Sequence, residues 1–293
     1  MTPTLVRQHL PLAGPTPRAD PGARARDWSE IQERMLVPLY EAVYERLVVG
    51  PGTRLLALGC GSGLALLMAA SRGATALTGV EPSSPERLTL ARERLLPKEP
   101  GKGPAGPRGD RGGIRLTDRL PKDVAGAGTR AYDVVTAFEP IGCLAGDADG
   151  LGALLAAMRP FAARGAPVVL VGWGPPERCA TSAVLRVAVK LADPLRGGTV
   201  RLRPARRDDL EEVAGRAGLK PDGSGRVACP FGYADVESAL KGLLSTGLFD
   251  TAVAATDQAQ VDKELTEALH PYRRADGTVW MPNVFRYLIA RTP

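Results

Sequence analysis

Between residues 54 and 63 the chain reads RLLALGCGSG, an apolar segment that ends in glycines at alternate positions, Gly59, Gly61 and Gly63. A helical pattern through Leu64, Leu67 and Met68 follows directly. Glycine lets a backbone turn sharply and lets a ligand approach with no Cβ in the way, and the first turn of a helix offers free N–H groups. The segment therefore predicts a strand, a turn able to cradle a nucleotide-type ligand, and a helix. That unit belongs to sheets in which strands and helices alternate.

The alternation continues. TALTGVEP (75–82) predicts a second strand and PERLTLARERLL (85–96) a second helix. Glu81 stands at the end of that strand, where a carboxylate can accept hydrogen bonds from both hydroxyls of a ribose. Further strands are predicted near 114–116, at YDVVTAF (132–138) and at PVVLVGW (167–173), with a helix over 150–163 between the last two. Residues 177–192 and 207–217 read as helices, 234–269 as one long helical region, and the end of TVWMPNVFRYLIAR as a strand near the carboxyl terminus. The expectation is an α/β fold, a mostly parallel sheet with helices on both faces and helical additions. Upstream, Ile31, Met35, Leu36, Leu39, Tyr40, Val43 and Leu47 recur at helical spacing from Trp28 onward, with Pro38 expected to bend the helix.

Two segments lack any apolar period. Residues 1–27 are rich in Pro, Gly, Ala and Arg and are expected to form a mobile N-terminal arm. Residues 97–113, PKEPGKGPAGPRGDRGG, are expected to form a flexible loop; their RGD and Gly-X-Y triplets are too brief for a collagen-like repeat. Residues 28–293 are then one domain.

Composition removes other classes. With 44% hydrophobic and 24% charged residues the chain can bury a substantial core, which excludes wholesale disorder. No apolar stretch approaches the roughly 18 residues of a membrane span, and the first residues lack the continuous hydrophobic segment of a secretory signal, so a cytoplasmic protein is expected. Cys60, Cys143, Cys179 and Cys229 are isolated, implying neither a metal site nor a disulfide framework. The net charge of +6 comes from scattered basic residues without an aromatic stacking motif, which points to a solvated surface and away from nucleic acid.

With the Gly turn, Glu81 in TGVEPS, the YDVVTAF strand and the strand after MRPFAARGAP in this order, residues 28–293 resemble the class I S-adenosylmethionine-dependent methyltransferases, in particular a bacterial branch acting on small molecules. The resemblance implies a Rossmann-like class I methyltransferase sheet and S-adenosylmethionine as cofactor. It also implies a cofactor site made by Gly59, Cys60, Gly61 and Gly63, by Glu81 with Pro82 and Ser83 at the ribose, by Asp118 beside the adenine, and by Phe138 near the sulfonium. The acceptor would be a small organic molecule such as a specialised metabolite. Ala57 departs from the pattern, standing where an acid often helps to hold the methionine end. Glu139-Pro140-Ile141-Gly142 and Ala180 also depart from the branch. A protein of this fold that binds or regulates without methyl transfer is the alternative those departures leave open. An NAD-dependent oxidoreductase would need GxGxxG, whereas position 64 is Leu.

Methyl transfer asks for in-line placement first, and for a base only when the acceptor must lose a proton. Glu139, directly after the fourth helix-flanked strand, and His270, at a helix end, are the candidate catalytic residues; His9 falls in the arm. Trp28, Met35 and Tyr40 have the spacing either to close over a cofactor or to face a core. Trp173, Phe231 and Tyr233 could line an acceptor pocket or fill the sheet core. Substrate choice is expected to reside in residues 177–200 and 234–270 and in the loop Phe138–Cys143.

Overall fold

A computed structural model of the chain describes residues 20–96, 109–111, 113–120, 131–143, 145–192, 203 and 205–293. His9 and most of the expected arm lie outside these residues, as does most of the 97–113 loop. The strands are β1 Arg54–Leu58, β2 Ala76–Val80, β3 Gly109–Arg111, β4 Ile114–Thr117, β5 Val134–Ile141, β6 Pro167–Trp173, β7 Lys220–Ala228, β8 Phe231–Tyr233, β9 Val279–Met281 and β10 Val284–Arg291. Eight of them form one sheet in the order β3-β4-β2-β1-β5-β6-β10-β7, and β8 pairs with β9 in a separate two-stranded ribbon. From β4 to β6 the neighbours run parallel, while β10 is antiparallel to both β6 and β7.

The helices are α1 Pro21–Asp27, α2 Val37–Arg46, α3 Leu64–Ser71, α4 Pro85–Leu95, α5 Asp147–Met158, α6 Thr181–Val184, α7 Arg186–Leu191, α8 Asp209–Arg216, α9 Val236–Leu244, α10 Asp250–Ala255 and α11 Gln258–Leu269. Alternate residues of a strand point to opposite faces, and β1 shows the consequence. Leu55 and Ala57 join a core with Tyr44, Leu66, Ala91 and the additions carrying Leu243 and Leu265, whereas Leu56 and Leu58 join a second core with Leu155, Met158 and Val213. Both faces of the sheet are thus covered, which is why β1, β5 and β6 are almost wholly apolar. No helix among the described residues is long and apolar enough to cross a membrane.

Several expectations need correction. Order reaches back into the segment read as an arm: Asp20 caps α1 by accepting from the Gly22 N–H at 2.9 Å, and Pro21 suits a first helical position. The loop segment contains β3, paired antiparallel to β4. The 234–269 region is three helices, broken by left-handed Gly247 (φ 84°) and restarted by Asp257, which caps α11. Helix 177–192 is likewise split into α6 and α7. β7 was not anticipated, because KPDGSGRVA reads as a turn; it is an edge strand, where Pro221 and charged side chains are tolerated and discourage further pairing.

Upstream of α2 the chain is helical but irregular. Trp28–Gln32 is a π-turn and Glu33–Leu36 a 3-10 turn. Pro38 accounts for the tightening: it has no N–H to give to residue 34 and its ring crowds that carbonyl, so the Val37 N–H bonds Arg34 instead.

Candidate cofactor crevice and active site

Register places the candidate residues. Thr117, Val80, Leu58 and Ala137 are level neighbours across β4, β2, β1 and β5. The residues that follow them, Asp118, Glu81, Gly59 and Phe138, therefore leave four adjacent parallel strands side by side at their carboxyl ends. In open α/β sheets this edge carries the ligand site.

Gly59, Gly61 and Gly63 all have left-handed backbones, with φ of 65°, 57° and 83°. The N–H groups of Gly59 and Cys60 both donate to the Val80 carbonyl, at 2.8 and 3.0 Å, tying the turn to the end of β2. Gly63 caps α3, and a Cβ there would meet Leu95 at 2.9 Å and Ala91 at 3.2 Å, so the third glycine serves the packing of α4. Cys60 does not line the crevice as expected. Its side chain turns inward beneath Gly79, and burial, then the Glu81 charge, push its thiol far up.

The Glu81 carboxylate is buried and accepts from the Gly61 N–H at 2.8 Å and the Ser83 N–H at 3.0 Å. A carboxylate has about four lone-pair sites, so two remain for further donors. Those two fit the hydroxyls of a ribose. The Glu81 N–H donates to the Thr117 carbonyl at 2.9 Å, which keeps Asp118 beside it; Asp118 is exposed, 3.6 Å from the Arg119 guanidinium. Pro82 and Ser83 are exposed at the rim.

Glu139 emerges from a bulge. Ala137 pairs with Leu170 but Ile141 with Gly172, so Phe138–Pro140 leave the ladder, at a point where Pro140 has no N–H to offer it. The bulge brings the Glu139 carboxylate next to Gly59, whose Cβ would lie 3.4 Å from Oε2. Glu139 reaches solvent, yet the surrounding protein mass raises its carboxyl pKa, as do the charges of Glu81 and Asp147, while Arg87 opposes them. Asp147 holds the loop by accepting from the N–H groups of Gly142 and Cys143 at 2.8 and 3.0 Å. Burial, with Asp147 next, pushes the Cys143 thiol up to about 12.

A polar cluster that the sequence did not reveal lies on the Gly turn. Glu33, buried, accepts from the Ser62 N–H at 3.2 Å and from the Ser62 hydroxyl. Arg94 donates to Glu33 at 3.0 Å, to the Ser62 carbonyl and hydroxyl at 2.9 and 2.7 Å, and to the Ser29 hydroxyl at 2.8 Å. Burial raises the Glu33 carboxyl pKa, and the bonds from Ser62 and Arg94 counter it. Arg87 lies 3.9 Å over the Trp28 ring and donates to the Ser245 carbonyl at 3.3 Å; burial lowers its pKa, against the pull of Glu81, Glu139 and Glu33. Arg87 and Arg94 are seven residues apart on α4, a spacing that puts them on one helix face and could have marked them as partners. Trp28 and Glu33 are five apart. They meet the same glycine only because the π-turn, with the Glu33 N–H bonded to the Trp28 carbonyl, realigns the helix.

Other expected residues go elsewhere. The Phe138 ring is buried between Tyr40 at 4.8 Å and Tyr44 at 5.6 Å, so it supports the leading helix and does not face the crevice. Trp173 packs 4.6 Å from Phe285 and 6.1 Å from Phe231, and Tyr233 donates to Gln32 at 3.0 Å; Phe231 and Tyr233 are buried core residues. His270 is exposed in the turn His270–Tyr272, against α11 and β9, and is not brought to Glu81 and Glu139. A cleft of about 680 Å³ opens near that turn, between Arg178, Tyr272 and Trp280, and includes no residue of the Gly turn.

No family model and no curated protein matches the chain. Solved structures similar to it include a methyltransferase candidate from Bacillus halodurans C-125, at 14% identity over 86% of this chain and 98% of that one, TM-score 0.49. Geranyl diphosphate methyltransferase in complex with S-adenosylmethionine matches at 15% identity over 94% and 92%, TM-score 0.45. The cyclase SpnF matches at 18% identity over 87% and 80%, TM-score 0.46. By its own topology the chain has a Rossmann-like α/β fold, a mostly parallel sheet covered on both faces, with antiparallel β10 set between β6 and β7 and a glycine turn after β1.

Proposed function

We propose that the chain transfers a methyl group from S-adenosylmethionine to a small organic acceptor. The observation that carries this reading is the level row of Asp118, Glu81, Gly59 and Phe138 at the carboxyl ends of β4, β2, β1 and β5, with Glu81 keeping free acceptor capacity beside the glycine turn. When bound, the cofactor supplies a methyl group already made electrophilic by its sulfonium. The chain's own part is to bind and orient. Glu81 receives ribose hydroxyls, Asp118 takes the neighbouring rim, and the acceptor is taken beside Glu139, which lies against Gly59. Glu139, its pKa raised by the surrounding protein and by the Glu81 charge, is the carboxylate placed to take the proton of an acidic acceptor at its oxygen. His270 has no place in this reading.

The turn also separates this function from dinucleotide oxidation, because α3 begins at Leu64 directly after Gly63 and no third glycine stands one position later. Calorimetry with S-adenosylhomocysteine and with NAD tests the proposal. Saturable heat with the former and none with the latter is expected. NAD binding as tight as S-adenosylhomocysteine binding, or no binding of either, would contradict it.

A further inference from the structure

The leading segment covers the glycine turn from outside. A Cβ on Gly61 would lie 2.5 Å from Trp28 Cη2, 2.8 Å from Cζ3 and 2.9 Å from Glu33 Oε1, so the indole rests directly on the second glycine of the turn. The Arg87 guanidinium also lies over the indole, a favourable cation–π geometry. The indole therefore occupies the side of Gly61 that the absence of a Cβ leaves free for a close approach.

The way this segment is held differs from the helix it leads into. From Asp20 to Glu33 the fully buried residues are Ala25, Ser29, Gln32 and Glu33, the last three fastened through hydroxyls, an amide and a carboxylate, while Ile31 packs half-buried against the main core. Beyond the 3-10 turn, Leu36, Leu39, Tyr40, Val43 and Tyr44 are buried in the main core. When the segment lifts, its hydrogen bonds, including those to Glu33 and Arg94, are replaced by bonds to water, whereas withdrawing the apolar face of α2 exposes it with no replacement. The boundary between the two regimes is the irregular stretch Trp28–Leu36, where helical hydrogen bonding changes from i→i+5 to i→i+3. Elements drawn from the less stable end of a structure are those that open.

We propose that residues 20–36 form an autoinhibitory cover, in which Trp28 competes with the cofactor for the face of Gly61 and has to leave before the cofactor binds. The proposal rests on the cofactor reading above. Arg87 is the clamp that holds the indole down, and α2 is the fixed end about which the cover opens. Apparent affinity is then the intrinsic affinity reduced by the fraction of molecules that are open.

The test measures S-adenosylhomocysteine binding by calorimetry and stopped flow for wild type, Trp28→Ala and Arg87→Gln, each checked for folding by thermal melting. Trp28→Ala is expected to tighten binding on the order of tenfold, chiefly through a faster association rate, with Arg87→Gln shifting it the same way by less. Weaker or equal binding by a folded Trp28→Ala protein, with wild type binding normally, would overturn the cover and leave the cofactor reading intact. Absence of binding by all three proteins would overturn the cofactor reading and the cover with it. Wild type supplies an independent readout should Trp28→Ala not fold. Acrylamide quenching of its indole fluorescence is expected to rise on adding S-adenosylhomocysteine, with no rise in Trp28→Phe. A fall in wild type would mean the indole packs against the ligand, contradicting displacement.

Discussion

Glu139 feels the charges of two carboxylates, Glu81 and Asp147, and of the Arg87 guanidinium, and its raised pKa makes stability depend on pH in a definite direction. In the folded chain the charged form is disfavoured, first by the surrounding protein and then by Glu81. In the unfolded chain it titrates near its ordinary value of 4.5. The stabilisation linked to its proton is full below that value and is lost as pH rises through the higher folded pKa. Glu139→Gln, uncharged throughout, should melt with wild type near about pH 4 and above it by about pH 8, which melting curves across that range would show. Parallel curves would mean that the carboxylate feels no such environment. Glu81 was legible in the sequence because its position at a strand end is set by spacing along the chain alone. Glu33, Arg87 and Arg94 were not, since each acquires meaning only when α4 and a π-turn bring distant segments onto Ser62 and Trp28. Cys60 and Phe138 were misplaced for a related reason: adjacency to a motif does not say which way a side chain points, and both turn into the core.

At the scale of elements, the strand–turn–helix unit is held by its glycines for different reasons. Gly63 is left-handed and lies against α4. Gly63→Ala is therefore expected to lose at least about 1–2 kcal/mol from the backbone conformation alone, measured by urea unfolding, before any shift of Leu95 is counted. A stability equal to wild type would show that α4 does not pack on the turn as described. β1, β2, β5 and β6 were readable because strands buried on both faces are continuous apolar runs. β7 was hidden by its own position, since an edge strand half open to water can carry the Pro, Asp, Gly and Ser that elsewhere signal a turn. The C-terminal helices show the opposite failure, in which amphipathic period persists across Gly247 and Thr256 while the backbone breaks.

At the scale of the molecule, alternating strands and helices sufficed to anticipate a parallel sheet covered on both faces. The place of β10 did not follow, because an antiparallel strand inserted between β6 and β7 is decided by long-range pairing that no local pattern records. The sheet gathers Asp118, Glu81, the glycine turn and Glu139 along one edge, and the leading segment and α4 close over it. In the function proposed above, this edge receives the ribose of an S-adenosyl ligand on Glu81. A double-mutant cycle tests it most directly, with calorimetric affinities of wild type and Glu81→Ala for S-adenosylhomocysteine and for its 2′,3′-dideoxyribose analogue. Removing the hydroxyls is expected to cost wild type about 1.5–3 kcal/mol for each, the range for a hydrogen bond to a charged group, and to cost Glu81→Ala little. An equal loss in both proteins would show that the ribose and the Glu81 carboxylate do not meet.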